Sequence, residues 1–353
     1  MNDIYSILPG YYKQRIAVVG KLNYFIDYRD ALVECIRHYG FEAFACSEID
    51  EALAMNPTCI TVIGSIVFDV FEHKNDDIIW ILIQTEQLYL DDIPSKQAFL
   101  NKMRKKVEPI LNCFDIILEW DKCNIKWLKE RTKAIVEHFP YAWFPALEYE
   151  GDHSINEDEK YDILFIGELP GIDKRRKVLL DYLSKKYKVY PKTRGVWGEE
   201  KKQAIASSKI CLNIHYDESR YAETDRLFDY FSKKRFVLSE PIRYPEPFVE
   251  GEDYVEFFWT NLCEKIDYYL SNNEERQRIA QNAYNKLHQY TLLESTKILI
   301  DTLLLVSYNK MREREEKKKQ EELEAIKAAN KFYPRLKRLI KRILRKIRKT
   351  AED

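Results

Sequence analysis

No apolar run in this 353-residue chain reaches the ~18 residues of a membrane-spanning helix. The nearest, Ile298 to Val306, is short and carries Asp301. The first ten residues, MNDIYSILPG, have an early acid and no long apolar stretch, which reads against a signal peptide. The seven cysteines are odd in number, scattered and never in C-x-x-C spacing. That pattern excludes a zinc ribbon and predicts buried free thiols in a reducing, cytoplasmic compartment. The six histidines form neither H-x-x-x-H nor H-E-x-x-H. With only ten glycines, the chain has no G-x-G-x-x-G and no G-x-x-x-x-G-K-[ST], so neither a dinucleotide enzyme nor a P-loop NTPase is supported. A D-x-D triplet is also missing. No bound metal and no cofactor is therefore expected.

The composition is that of a globular protein long enough for two cores, 45% hydrophobic and 33% charged, with 24 Tyr and 17 Phe. A net charge of −1 conceals an asymmetry. Residues 325–353 hold eleven Lys/Arg and two acids, which leaves −10 on the other 324. An acidic body reads against a nucleic-acid-binding core and assigns any polyanion contact to the tail.

Short apolar runs alternate with helical patterns from the start. RIAVVG (15–20) predicts a strand, 27–39 a helix closed by Gly40, and 41–46 a second strand. Further strands are expected at 59–68, 78–84 and 114–119, with a helix from Asn124 to about His138. Strands alternating with helices indicate a doubly wound, mostly parallel sheet. Gly20 ends the first strand and faces either a ligand or a tight turn. Glu86, in Gln84-Thr-Glu-Gln87, falls where a strand delivers side chains to a cleft, although a solvated strand end has the same look. Residues 140–159 hold two prolines, a glycine and the acidic GDHSINEDEK, which marks a boundary near 148–160.

The second alternating unit opens with YDILFIG (161–167), then Glu168-Leu-Pro-Gly171 and a helix starting near Lys174-Arg175-Arg176. A glycine turn before a helix start presents unpaired N–H groups to an anion. Cations are disfavoured in a first turn by the helix dipole. Three in a row after Gly167 therefore point to a diphosphate, with a solvated helix start as the plainer reading. Trp197 is placed to stack on a base or to plug a core edge. The stretch ICLNIHYDESRYAETDRLFDYFSKKRFVLSE (210–240) then supplies strand, loop, helix and strand. Ligands of open α/β sheets bind at the carboxyl ends of the strands. Here those ends carry Asn213, His215, Tyr216, Glu223, Arg226, Ser239 and Glu240. Glu223 and Arg226 also fit a surface pair at i, i+3, and His215 a structural histidine.

NIHY, then E-x-x-R-x-F (Glu223, Arg226, Phe228), then VLSE resembles the carboxyl-terminal half of the spore-coat-type, group 1 glycosyltransferases of the GT-B fold. YDILFIGELPGIDKRRKVLLDYL (161–183) and YYLSNNEERQRIAQNAY (268–284) extend the likeness over about 161–291. Residues 1–150 fit it loosely. Many retaining members carry two glutamates eight positions apart, whereas the eighth position after Glu223 is Phe231. The stereochemical outcome stays open.

The resemblance implies an α/β protein of two Rossmann-like domains, GT-B-like. An acceptor-side domain would span 1–150 and a donor domain 160–308, closed by a bracing helix. A charged helix and basic tail would fill 309–353. The implied function is metal-independent transfer of a sugar from a nucleotide diphosphate sugar to a glycan, lipid or protein acceptor. Glu223, Arg226 and His215 would act at the reacting centre. Gly167, Arg175, Arg176, Asn213, Trp197, Ser239, Glu240, Gly20 and Glu86 would bind substrate. The alternative is a non-catalytic nucleotide-sugar-binding or scaffold protein of a glycan-assembly complex.

The tail has its own logic. Residues 310–324 hold six basic and six acidic side chains, a solvated helix. From Phe332, Leu336, Leu339, Ile340, Ile343, Leu344 and Ile347 share one helical face, and nine Lys/Arg from 335 to 349 fill the rest. A basic amphipathic helix predicts peripheral attachment to an anionic membrane surface, with docking on the acidic body or on a protein partner as the other reading. Nucleic acid is not expected.

Overall fold

The computed structural model describes residues 14–21, 25–64, 72–89, 97–148, 159–169, 174–216 and 224–350. Glu223 lies outside them. Two compact units result, one of residues 14–302 and one of residues 303–350.

The larger unit holds two parallel sheets. The first has six strands: β1 (Arg15–Val19), β2 (Glu42–Cys46), β3 (Cys59–Ile63), β4 (Ile79–Gln84), β5 (Ile116–Glu119) and β6 (Ile135–His138). Their order is β2-β1-β3-β4-β5-β6. β3 and β4 are buried at every position, as strands covered on both faces must be. Helices α1 (Ile26–His38), α2 (Ile49–Ala54), α3 (Gln97–Val107) and α4 (Lys122–Lys129) cover it. Trp80 and Trp127 sit in one core with Met103, Val107 and Leu128. Gly40 closes α1 with φ +88°, a conformation glycine adopts without steric cost.

The second sheet has the order β10-β9-β8-β7, all parallel, from β7 (Tyr161–Leu164), β8 (Ser208–Asn213), β9 (Phe236–Ser239) and β10 (Val255–Glu256). Its helices are α5 (Arg175–Leu183), α6 (Gly198–Ala206), α7 (Thr224–Phe231), α8 (Leu262–Ser271) and α9 (Asn273–Leu287). The last helix, α10 (Leu292–Thr350), contributes residues 292–302 to the larger unit. There the Tyr39 hydroxyl donates to the Leu293 carbonyl (2.9 Å), tying α10 to the end of α1.

One expectation needs correction. The helix read from Asn124 to His138 is the eight-residue α4 followed by strand β6, which pairs with β5 from Ile116–Ile135 onward. In the second sheet, Val189 makes an isolated parallel bridge to Ile163 beside β7.

The segment between the sheets is firmly held. Lys233 Nζ and Ser232 Oγ donate to the Leu147 carbonyl at 2.5 and 3.1 Å. The Tyr141 ring meets Phe228 edge-on at 5.3 Å. Trp143 N–H donates to Tyr290 O and its carbonyl accepts from Leu292 N.

Candidate functional site

The carboxyl ends of β7, β8 and β9 bring most of the expected residues into one network. Arg226, in the first turn of α7, donates from Nε to the Ile166 carbonyl (2.8 Å) and from Nη1 to Asn213 Oδ1 (3.0 Å), with its guanidinium over Phe165. Gly167 is required by this arrangement, because a Cβ there would stand 2.7 Å from Arg226 Nη2. Asn213 passes the connection on, donating from Nδ2 to Ser239 Oγ (2.9 Å), which donates to the Glu240 carbonyl (2.6 Å).

Glu240 is the hub of the other half. Its carboxylate, on a residue only 5% exposed, accepts from Arg175 Nη1 (2.5 Å), Trp259 Nε1 (2.8 Å) and His215 N–H (2.8 Å). Arg175 also donates to the His215 carbonyl (2.6 Å) and lies over the Trp259 ring. Arg176 is 1% exposed, and its guanidinium donates to the carbonyls of Ile214, His215 and Glu168. It builds the turn after β8. His215 is 2% exposed and its Nε2 stands 3.0 Å from the Pro241 carbonyl. A carbonyl only accepts, so Nε2 carries the proton in the neutral ring. Trp197 stands one loop away, 45% exposed at the start of α6 with Lys201 over its ring.

Gly20 and Glu86 belong to the corresponding edge of the first sheet. Gly20 N–H donates to Cys46 O and its carbonyl accepts from Arg29. The Glu86 backbone is fixed by Gln84 and Asn124, and burial raises its carboxyl above the ordinary range. Sequence reasoning missed two acids beside it. Glu119 ends β5 fully buried, accepting from Gln84, Asn124 and the Asp121 N–H, and burial holds its carboxyl well above the usual range. Asp121 caps α4 by accepting from Cys123 N–H (2.8 Å), while its Oδ2 is buried without a hydrogen bond among the described residues. Desolvation pushes its carboxyl up to about 7. Next to it the Cys123 thiol meets the Tyr244 hydroxyl and lies within electrostatic reach of Arg243, from the loop after β9. The two sheets' carboxyl edges thus approach one another here. An acid-Trp-acid triplet ending a strand, Glu119-Trp120-Asp121, was the available signal. Trp259 gave none.

The raised Asp121 carboxyl has a pH signature. Between the ordinary carboxylate range and about 7, the folded protein holds a proton that the unfolded chain releases, so this group lowers stability as pH rises through that window. The slope is at most about 1.4 kcal/mol per pH unit. Asp121→Asn keeps a capping oxygen and mimics the protonated form. Urea melts at pH 5 and pH 8 should show the variant gaining on the parent at pH 8; parallel pH profiles would contradict this.

The comparisons with known proteins fit this picture. Residues 157–296 match the glycosyl transferase-like family model, a segment containing the whole second edge. Among solved structures, the sucrose-phosphate synthase of Thermosynechococcus elongatus superposes with TM-score 0.57 at 10% identity, over 85% of this chain and 100% of that one. AviGT4, a glycosyltransferase of avilamycin A biosynthesis, gives 0.54 at 10% identity over 84% and 98%. Anabaena HepE, in complex with UDP and glucose, gives 0.52 at 8% identity over 82% and 99%. The fold is that of the GT-B glycosyltransferases. The uncharacterized protein L138 of Acanthamoeba polyphaga mimivirus is 36% identical over 62 residues, 18% of this chain, and the chain spans only 7% of its length.

Proposed function

We propose that the protein is a glycosyltransferase that takes its sugar from a nucleoside diphosphate sugar bound at the carboxyl edge of β7–β9. One observation carries this: Arg226 is held against Gly167 and Asn213 within the segment that matches the glycosyl transferase-like family model. A guanidinium pre-oriented by a carbonyl, an amide oxygen and an aromatic face suits recognition of a diphosphate. The complex of HepE with UDP supports a uridine nucleotide as the first probe. The order NIHY, E-x-x-R-x-F, VLSE supports placement in the spore-coat-type group.

In this reading Arg226 and Arg175, with the N–H groups opening α5, stabilise the departing diphosphate, and no metal is invoked. Arg176 holds the turn, Trp197 stacks on the base, and Glu223 accepts from the ribose. The acceptor, a glycan, lipid or protein, lies on the first sheet by Gly20 and Glu86, and Asp121 takes its proton. Among the described residues no helix is long and apolar enough to cross a membrane. We assign membrane attachment to the tail, where Leu336, Leu339, Ile340 and Ile343 are solvent-exposed on a continuous helix. The burial of His215 and Glu240 favours one second reading, a protein that binds the nucleotide sugar without turning it over. Release of UDP from UDP-glucose by the purified chain, lost in Asp121→Asn with UDP affinity retained, supports the enzyme. UDP binding without release in the parent supports the second reading.

A further inference from the structure

The outer surface of α3 and α4 carries a groove of about 360 Å³ lined by Asn101, Arg104, Lys105, Glu108, Trp127 and Arg131. It lies toward the end of α3 that leads, through the 3-10 turn Glu108–Cys113, into the start of β5. That is the opposite end of the strand from Glu119 and Asp121.

We propose that this groove is a second ligand site, specific for a phosphate ester. Its construction supports that assignment. The Arg131 guanidinium lies 4.6 Å from the Trp127 ring centroid and that of Arg104 lies 5.7 Å from it, with Tyr89 a further 5.6 Å from Arg104. Each is tethered as well: Arg104 Nε donates to Leu88 O (2.6 Å) and Nη1 to Asn101 Oδ1 (3.3 Å), and Arg131 Nη1 donates to Trp127 O (3.2 Å). Two tethered forks held over one indole lose little side-chain entropy on meeting a tetrahedral anion, and each offers paired N–H donors. Lys105 adds a third positive charge. Glu108, the one acid among the lining residues, is exposed and 3.9 Å from Arg131 Nε, and the neighbouring Glu130 carboxylate accepts from Arg131 Nη1 at 3.2 Å.

The charge is local and runs against its surroundings. Residues 97–133 carry nine Lys/Arg and five Asp/Glu, in a body of residues 1–324 that is net −10. Of those five acids, Glu119 is fully buried and Asp115 accepts from the Trp80 N–H. The two exposed acids, Glu108 and Glu130, both stand against Arg131, and cations outnumber them on this face. The volume exceeds that of a bare phosphate and admits the sugar or glycerol unit that carries it. Such an ester could come from a soluble sugar phosphate or from a lipid headgroup.

The test uses the full chain with UDP present at a fixed excess, so that the donor edge is held constant. Glucose 6-phosphate and glycerol 3-phosphate are titrated calorimetrically against the parent, Arg104→Gln/Arg131→Gln and Lys105→Glu. The last variant touches no tether, so it stays informative if the double change disturbs folding. Saturable binding of either ester, weakened at least tenfold in the double variant and several-fold in Lys105→Glu, is expected, with UDP affinity unchanged. A second arm measures sedimentation with phosphatidic acid–phosphatidylcholine vesicles. Weaker sedimentation of Lys105→Glu than of the parent assigns the ester to a headgroup; ester binding with equal sedimentation assigns it to a soluble molecule. No saturable ester binding together with equal vesicle sedimentation, or equal ester affinity in parent and variants, overturns the proposal.

Discussion

Glu240→Gln should lower the melting temperature by roughly 6–12 °C, corresponding to about 3 kcal/mol lost from the larger unit. The carboxylate receives three donors from three different elements: α5 through Arg175, the turn after β8 through His215 N–H, and the segment after β10 through Trp259. Glutamine retains one accepting oxygen and turns an NH₂ toward another donor. It also removes the negative charge that faces the Arg175 guanidinium in a mostly buried position. Removing one member of such a pair costs more than the pair itself contributes, because the remaining charge stays desolvated. Thermal melts of parent and variant at one pH measure this directly. A shift under 2 °C with a large loss of UDP affinity would instead make Glu240 a ligand contact.

Ending the chain at Glu324 should remove at least a thousandfold of the affinity for anionic vesicles. Each Lys/Arg close to such a surface contributes about 1 kcal/mol, attenuated by salt, and the apolar face adds insertion. The deleted segment holds eleven Lys/Arg, and its side chains are exposed wherever they are described. The shortened chain should therefore melt like the parent while failing to sediment with phosphatidylserine vesicles. Raising the salt concentration should release the parent progressively. Equal sedimentation of both chains would move any membrane contact off the tail.

How far the sequence could be read depended on which interactions define each part. β8 and β9 were legible because parallel strands covered on both faces appear as unbroken apolar runs, and Asn213, Ser239 and Glu240 followed from where those runs stop. β6 was not. Its four residues, Ile135–His138, are too few to show a period, and pairing with β5 makes them a strand where local pattern continued the helix begun at Lys122. The tail read as separate helices is one helix to Thr350, with Pro334 inside it, a residue that ordinarily marks an end. Trp259 and Glu119 escaped notice because they meet Glu240 and Gln84 only in the fold, and Asp121 because its raised carboxyl comes from burial that local pattern does not show. The partners of Arg175 and Arg176, a carboxylate and a set of carbonyls, could not be read from the cation cluster alone.

The central claim is that a nucleoside diphosphate binds at the carboxyl edge of β7–β9 against Arg226. Calorimetric titration of UDP into the parent chain and into Arg226→Gln tests it most directly. Losing a charge-assisted contact should cost about 1.5–3 kcal/mol, a roughly ten- to hundredfold weaker Kd. The account predicts saturable one-to-one binding by the parent and that loss in the variant. No UDP binding by the parent, or equal affinity in the two, would contradict it.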